Sequence, residues 1–146
     1  MTALKRPIRS ISMMLLALTF TCSCSGQNKL THLRDTVRSF HQQIRWERWN
    51  SASVYVDKDQ RESWYESRRD LKSRLKVHDM QVTRSVSAGP QATTAQLSIR
   101  VDWYRLRDMT LHTTNWVQEW EHGQDGWKLK SEKRARGETG KGLAWP

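Results

Sequence analysis

The chain has 146 residues, which allows one small domain with its own hydrophobic core, and its two cysteines exclude a framework of several disulfide bonds. Lys and Arg outnumber Asp and Glu by 25 to 15, and this net charge of +10 favours anionic partners. Lipid headgroups, lipopolysaccharide, acidic glycans and nucleic acid are such partners, and a basic surface that is only solvated stays an alternative.

The first 23 residues predict an export signal. Lys5, Arg6 and Arg9 precede an uncharged run over residues 11–21, ISMMLLALTFT. A basic start followed by about ten apolar residues is typical of a secretory signal peptide, and the run is shorter than the about 20 residues of a permanent anchor. Removal of residues 1–23 leaves 22 basic against 15 acidic residues, a net charge of +7. Export makes nucleic acid the least expected partner.

Both cysteines directly follow the apolar run. Residues 19–26, TFTCSCSG, resemble the lipobox of bacterial lipoproteins, in which a small residue precedes the cysteine that becomes lipidated. The serine before Cys24 favours Cys24 as the lipidated residue, Cys22 stays the alternative, and neither has leucine three positions earlier. The resemblance implies a lipoprotein signal peptide over residues 1–23 and a lipid-anchored protein of the bacterial cell envelope.

Two helices are predicted after a polar tether over residues 24–28. Apolar residues recur at spacings of three and four from Leu30 to Ile44, the pattern of an amphipathic helix with one buried stripe. A second helix is predicted from about Gln60 to Leu75, and the adjacent Arg68 and Arg69 are interpreted as part of a solvated helix face. Helical spacing also predicts that the inward residues of this helix are Trp64, Arg68, Leu71 and Leu75, so Arg68 has two opposite interpretations.

The rest of the domain is predicted to form an antiparallel sheet of about four strands. Alternation begins near residue 77 and ends at a Gly89-Pro90 turn, and a long hairpin follows over residues 93–122 with a loop at residues 107–110. Paired residue numbers in this hairpin should sum to 217 or 215, so that one face carries aliphatic and tryptophan side chains. A turn at residues 122–126 leads to a short last strand.

This order of elements resembles the NTF2-like superfamily, a cone-shaped α+β fold in which a curved antiparallel sheet wraps around N-terminal helices. The resemblance rests on ASVYV at residues 52–56, DWY at 102–104, TNW at 114–116 and DGWKL at 125–129. Small bacterial lipoproteins with such a domain are the most similar, which implies a fold and a location rather than a reaction. It implies a domain over residues 29–133, and the absence of periodicity after it predicts a mobile tail over residues 134–146. A cystatin-like helix on a sheet is the structural alternative.

No motif specific to a reaction, a cofactor or a metal occurs. The chain has no glycine-rich phosphate loop, Gly-x-Ser-x-Gly, zinc-spaced cysteine pair or His-Glu-x-x-His, so no catalytic residue, cofactor or metal is assigned. The superfamily includes isomerases and dehydratases that use an acid or base inside the cone. Asp102 is instead predicted on the opposite face, in a polar network near Arg100, Asn115 and Glu119. A register slip of one residue would turn Asp102 inward and favour an enzyme.

The tryptophans of the hairpin are the candidate site. They are expected to form either the core or a partly open aromatic pocket at the mouth of the cone, suited to a lipid-like or aromatic small molecule. The candidate pocket-lining residues are Trp64, Trp103, Arg105, His112, Trp116, Gln118 and Trp120.

The predicted function is a non-enzymatic binding or scaffold role in an envelope-anchored lipoprotein, through the aromatic pocket or the basic surface. Ser25 after the lipidated cysteine implies the outer membrane, with the domain facing the periplasm. Two alternatives stay open: a small-molecule pocket enzyme of the isomerase or dehydratase type, and a dimeric subunit that binds a second copy or another envelope protein.

Overall fold

The computed structural model describes residues 28–135, and the predicted signal peptide, Cys24 and most of the predicted tail lie outside them. The described elements are α1 (Lys29–Arg45), α2 (Trp49–Ser53), α3 (Lys58–Glu66), a 3-10 helix (Leu71–Ser73), β1 (Leu75–Ser87), β2 (Thr94–Arg105), β3 (Leu111–Gly123) and β4 (Gly126–Arg134). The strands form one antiparallel sheet in the order β1-β2-β3-β4. The predicted α+β class is confirmed. Within residues 28–135 no helix is both long and apolar enough to cross a membrane.

Helix α1 forms where its periodicity predicts it. The Asn28 side chain caps its first turn by accepting a hydrogen bond from the Leu30 backbone N–H at 3.0 Å. Its apolar stripe packs against the sheet, and each such buried side chain contributes on the order of 1.5–3 kcal/mol to folding. The buried residues of α1 are Leu33, Val37, Phe40, His41 and Ile44.

The second predicted helix is wrong in its length. Helix α3 ends at Glu66, and β1 already begins at Leu75. The Ser67 hydroxyl donates to the Trp64 carbonyl at 2.9 Å, a local bond that competes with continuation of the helix. The prediction of its inward-facing residues is nevertheless confirmed, because all four are buried: Trp64, Arg68, Leu71 and Leu75.

The β2–β3 hairpin adopts the register in which paired residue numbers sum to 215. Ile99 therefore lies opposite Trp116, and Val101 lies opposite Thr114. Asp102 lies on the outer face as predicted, where its Oδ1 accepts hydrogen bonds from Thr113 Oγ1 at 2.6 Å and Arg100 Nε at 3.2 Å. The inward residues of the hairpin are Ala95, Leu97, Ile99, Val101, Trp103, Thr114, Trp116, Gln118 and Trp120.

Strand β4 contains a β-bulge at Lys130. Trp120 lies opposite Leu129 while Glu119 lies opposite Ser131, so Lys130 is the extra residue on β4. Beyond the bulge the alternation is shifted by one position, and Glu132 comes to lie opposite the inward-facing Gln118. The bulge therefore brings a carboxylate into the interior of the domain.

Strand β1 is an edge strand that leaves the core in its second half. Its pairing with β2 shifts register between Val77 and Asp79 and again between Val82 and Arg84. Residues 81–86 are exposed, whereas Leu75 and Val77 at the start of the strand are buried. The divergent half of β1 leaves an open space between the sheet and α1.

Candidate ligand-binding groove

An open groove of about 790 Å³ lies between α1 and the divergent half of β1. Its volume falls within the roughly 300–1,000 Å³ typical of small-molecule sites. Helix α1 forms one wall, and β1 with part of β2 forms the other. The apolar lining residues are Leu30, Leu33, Val37, Trp46, Met80, Val82 and Leu97. The polar lining residues are Arg34, Arg38, His41, Gln42, Arg45 and Ser85.

Three arginines of α1 follow one edge of this groove. Arg34, Arg38 and Arg45 are separated by four and seven residues, so the helical repeat places them on the same side of α1. Arg45 Nη1 lies 3.7 Å from Asp79 Oδ1. Within residues 28–135 no salt bridge joins Arg34 or Arg38 to an acidic side chain, and none of the described lining residues is acidic. The edge is therefore strongly cationic.

Trp46 extends the apolar lining where α1 ends. The next residue, Glu47, has a positive φ of 57°, a conformation that L-residues seldom adopt and that ends the helix. The Trp46 side chain is 68% exposed. Trp46 is thus a large aromatic side chain that contacts water at the end of an apolar groove. Such exposed aromatic surface is typical of a binding site that a ligand covers.

A hydrogen-bonded chain of four side chains, which we call the interior relay, lies behind the groove. Arg68 Nη2 donates to Glu132 Oε1 at 3.2 Å, and Gln118 Nε2 donates to Glu132 Oε2 at 2.9 Å. Gln118 Oε1 lies 3.2 Å from His41 Nε2. Because a carboxylate only accepts, the Gln118 amide nitrogen must face Glu132 and its oxygen must face the imidazole. His41 therefore carries its hydrogen on Nε2.

Burial controls the charge of His41. Removal from water lowers the pKa of His41 below its ordinary value, and this outweighs the Gln118 hydrogen bond and the charges of Glu132 and Asp79, which act in the opposite direction. With a lowered pKa, the imidazole is neutral at pH 7. His41 thus gives the groove a polar but uncharged inner wall.

Arg68 forms the other end of the relay, and its burial differs from the interpretation made from the sequence. It is 4% exposed, so its predicted place on a solvated face is wrong, whereas Arg69 is exposed and paired with Glu66. The Arg68 guanidinium lies 4.4 Å from the centre of the Trp64 ring, a cation–π contact. Burial lowers the pKa of Arg68, and the charge of Glu132 opposes this shift.

Five of the seven predicted pocket residues are buried in the core, and the other two lie where β2 ends and β3 begins. Gln118 is fully buried in the relay and accepts from Trp120 Nε1 at 3.3 Å. His112 stacks on Trp103, with 4.5 Å between ring centres. None of the seven lines the groove, and their assignment as pocket residues stays a prediction. The remaining members are Trp64 and Trp116, both buried, and Arg105, which is half-buried.

Sequence reasoning missed the groove and two members of the relay. His41 follows Val37 at helical spacing, and this signal was sufficient to place it on the buried stripe. Glu132 carried no such signal, because strict alternation from Trp127 and Leu129 points Ser131 inward instead. Within residues 28–135 no cluster of His, Cys, Asp and Glu side chains is arranged to bind a metal ion.

No protein-family model and no curated protein matches the chain. Among solved structures, the chain is similar to a SEC-C motif-containing protein from Rhodopseudomonas palustris, with 10% identity and a TM-score of 0.58 over 68% of this chain and 76% of that one. It is also similar to a provisionally assigned aromatic ring hydroxylase from Novosphingobium aromaticivorans, with 13% identity and a TM-score of 0.58 over 77% and 90%. Likeness at this identity shows the fold alone.

Proposed function

We propose that the chain is an envelope lipoprotein anchored through Cys24 at the outer membrane, and that its NTF2-like domain binds a small molecule with an extended apolar chain. The observation that carries the proposal is the open groove of about 790 Å³ between α1 and β1, with its apolar lining. The NTF2-like assignment is supported by helices that precede and pack on an antiparallel four-stranded sheet. The signal pattern and lipobox support the anchor.

An apolar ligand suits the groove because its lining leaves apolar surface in water. Val82 is 47% exposed, and Trp46 is more exposed still. Covering such surface contributes about 25 cal/mol per Å², and each buried methylene of a ligand adds about 0.8 kcal/mol. Trp46 and Val82 supply most of this exposed surface, and the partly buried Met80 adds to it along the groove.

The carboxylates favour binding over catalysis. Glu132, which faces the interior, is already engaged by Arg68 and Gln118, and its side chain is about 5% exposed. Asp102 faces outward and is held by Thr113 and Arg100. An isomerase-type or dehydratase-type site requires an acid or base that reaches the substrate. These two carboxylates are instead committed to structural hydrogen bonds.

Titration with the neutral fluorescent probe N-phenyl-1-naphthylamine tests the proposal. The chain from Ser25 to Pro146 retains residues 28–135 and therefore both walls of the groove and the interior relay. We expect a saturable rise in probe fluorescence. Val82→Glu should weaken probe binding by about tenfold or more, because it places a charge against an apolar ligand.

Val86→Glu is the matched control for this experiment. Val86 lies on the same strand and is also 47% exposed, but it does not line the groove. The control should bind the probe like the unaltered chain, and circular dichroism should be the same for all three proteins. Absence of saturable binding, or an equal loss in both variants, would contradict a ligand site between α1 and β1.

A further inference from the structure

We infer that the ligand of the groove is a single-chain lipid anion, a carboxylate or a phosphate monoester, whose head group binds Arg34 and Arg38 while its chain covers the apolar lining. The inference rests on the proposed function and names the ligand class for the same groove. It is carried by the arrangement of charge around the groove.

The cations that line the groove all lie on one helix. Arg34 and Arg38 are four residues apart on α1, so their Cβ atoms are neighbours at about 5–6 Å and both guanidinium groups can bind one anion. Arg45 lies farther along the same side, but it is already 3.7 Å from Asp79. The strongest position for an anionic head group is therefore beside the first two arginines.

The inner part of the groove explains why the head group stays at the edge. His41 presents a neutral imidazole there, and Gln118 behind it is satisfied by Glu132. The nearest interior cation, Arg68, is buried and paired with the same carboxylate. A charged head group would find no counter-ion in this inner part, whereas an acyl chain can cover the partly exposed apolar residues Leu30, Met80 and Val82 without loss.

Other classes of amphiphile fit less well. A cationic head group would face Arg34, Arg38 and Arg45 with no lining carboxylate to offset the repulsion. A neutral head group would gain only the apolar contacts. Charge-assisted hydrogen bonds from guanidinium to carboxylate or phosphate are roughly twice as strong as neutral ones, so the anion gains at both ends of the molecule.

Competition between ligands that share one chain tests the inference. Dodecanoate, dodecyl phosphate and methyl dodecanoate, each below its aggregation concentration, would displace N-phenyl-1-naphthylamine from the chain over residues 25–146. We expect each anion to displace the probe at about tenfold lower concentration than the ester at low salt. The difference should shrink at high salt, because exposed charges are screened. The carboxylate and phosphate arms distinguish a fatty acid from a phosphorylated lipid.

Three arginine variants locate the head group. Arg34→Gln and Arg38→Gln should each reduce the preference for the anion about fivefold or more while probe affinity is unchanged. Arg107→Gln removes one exposed arginine from the β2–β3 loop, away from the groove, and should leave the preference intact.

Each outcome supports or overturns one of the two proposals. If the probe binds but ester and anions displace it equally, the lipid-anion inference fails and the apolar groove stands. An equal loss of preference in all three variants would assign the effect to net charge and would overturn the head-group site. If neither the probe nor any dodecyl ligand binds, the proposed function itself fails.

Discussion

At the scale of single residues, the interior relay pairs two charged side chains, Arg68 and Glu132, that are each about 5% exposed. Glu132 accepts from Arg68 and Gln118, and Gln118 in turn accepts from His41 and Trp120. A buried polar group without a partner costs on the order of 1–3 kcal/mol, and a broken buried ion pair costs more. The relay lowers this cost, because each member is hydrogen-bonded to the next.

The first prediction concerns His41 and pH. Its folded pKa lies below the ordinary value of 6.5, so between these two pKa values the unfolded chain binds a proton that the folded chain does not. The free energy of unfolding should therefore fall as pH falls through about 6.5, by at most about 1.4 kcal/mol per pH unit, and level off below the folded pKa. Urea-induced unfolding between pH 7.5 and 5.5 measures this slope.

His41→Gln is the test variant for that slope, because glutamine keeps a polar side chain beside Gln118 but does not titrate. Most of the slope should disappear in it. Carboxyl groups with lowered pKa values, such as Asp57 and Asp79, lose their stabilising effect only below their ordinary value of about 3.8, outside the chosen range. An equal slope in the variant would show that burial of His41 is not its cause.

At the scale of elements, regular patterns were predictable from the sequence and departures from regularity were not. Alternation predicted the inward face of the β2–β3 hairpin and, with the short loop, limited its pairing to two registers, of which the structure has the one with sums of 215. The early end of α3 at Glu66 depends on Ser67 and on tertiary packing, which compete with helical periodicity. The bulge at Lys130 and the divergence of β1 depend on pairing between strands, so no local pattern placed Glu132 in the relay or indicated the groove.

The second prediction concerns the turn between β3 and β4. Gly126 has a φ of 81°, whereas Gly123 on the other side of the turn has no positive φ, and an added Cβ would meet nothing within 4 Å at either site. Gly126→Ala should therefore lower the free energy of unfolding by about 1–2 kcal/mol through backbone strain alone. Gly123→Ala should leave it unchanged or raise it by up to about 1 kcal/mol. Urea-induced unfolding separates the two, and equal effects would show that the turn is not held in this conformation.

At the scale of the whole molecule, the proposed anchor precedes α1 in the sequence, and the lining of the groove begins in the first turn of that helix. The step from Cys24 to Lys29 spans five residues and reaches at most about 18 Å when fully extended. Leu30, Leu33 and Arg34, which line the groove, follow directly. A lipid on Cys24 would thus keep the cationic edge of the groove close to a bilayer, which is a source of single-chain lipid anions.

The third prediction concerns this anchor. The intact mass of the membrane-extracted protein should correspond to a chain that begins at Cys24 and carries diacylglyceryl and acyl groups, because several chains are needed for firm membrane attachment. Cys24→Ala should abolish the added mass, while the control Cys22→Ala should keep it, since the serine before Cys24 favours processing there. Lipid that survives Cys24→Ala but is lost in Cys22→Ala would move the anchor to Cys22. An unlipidated chain would contradict the lipoprotein proposal, and the groove would then have to take its ligand from solution rather than from an adjacent bilayer.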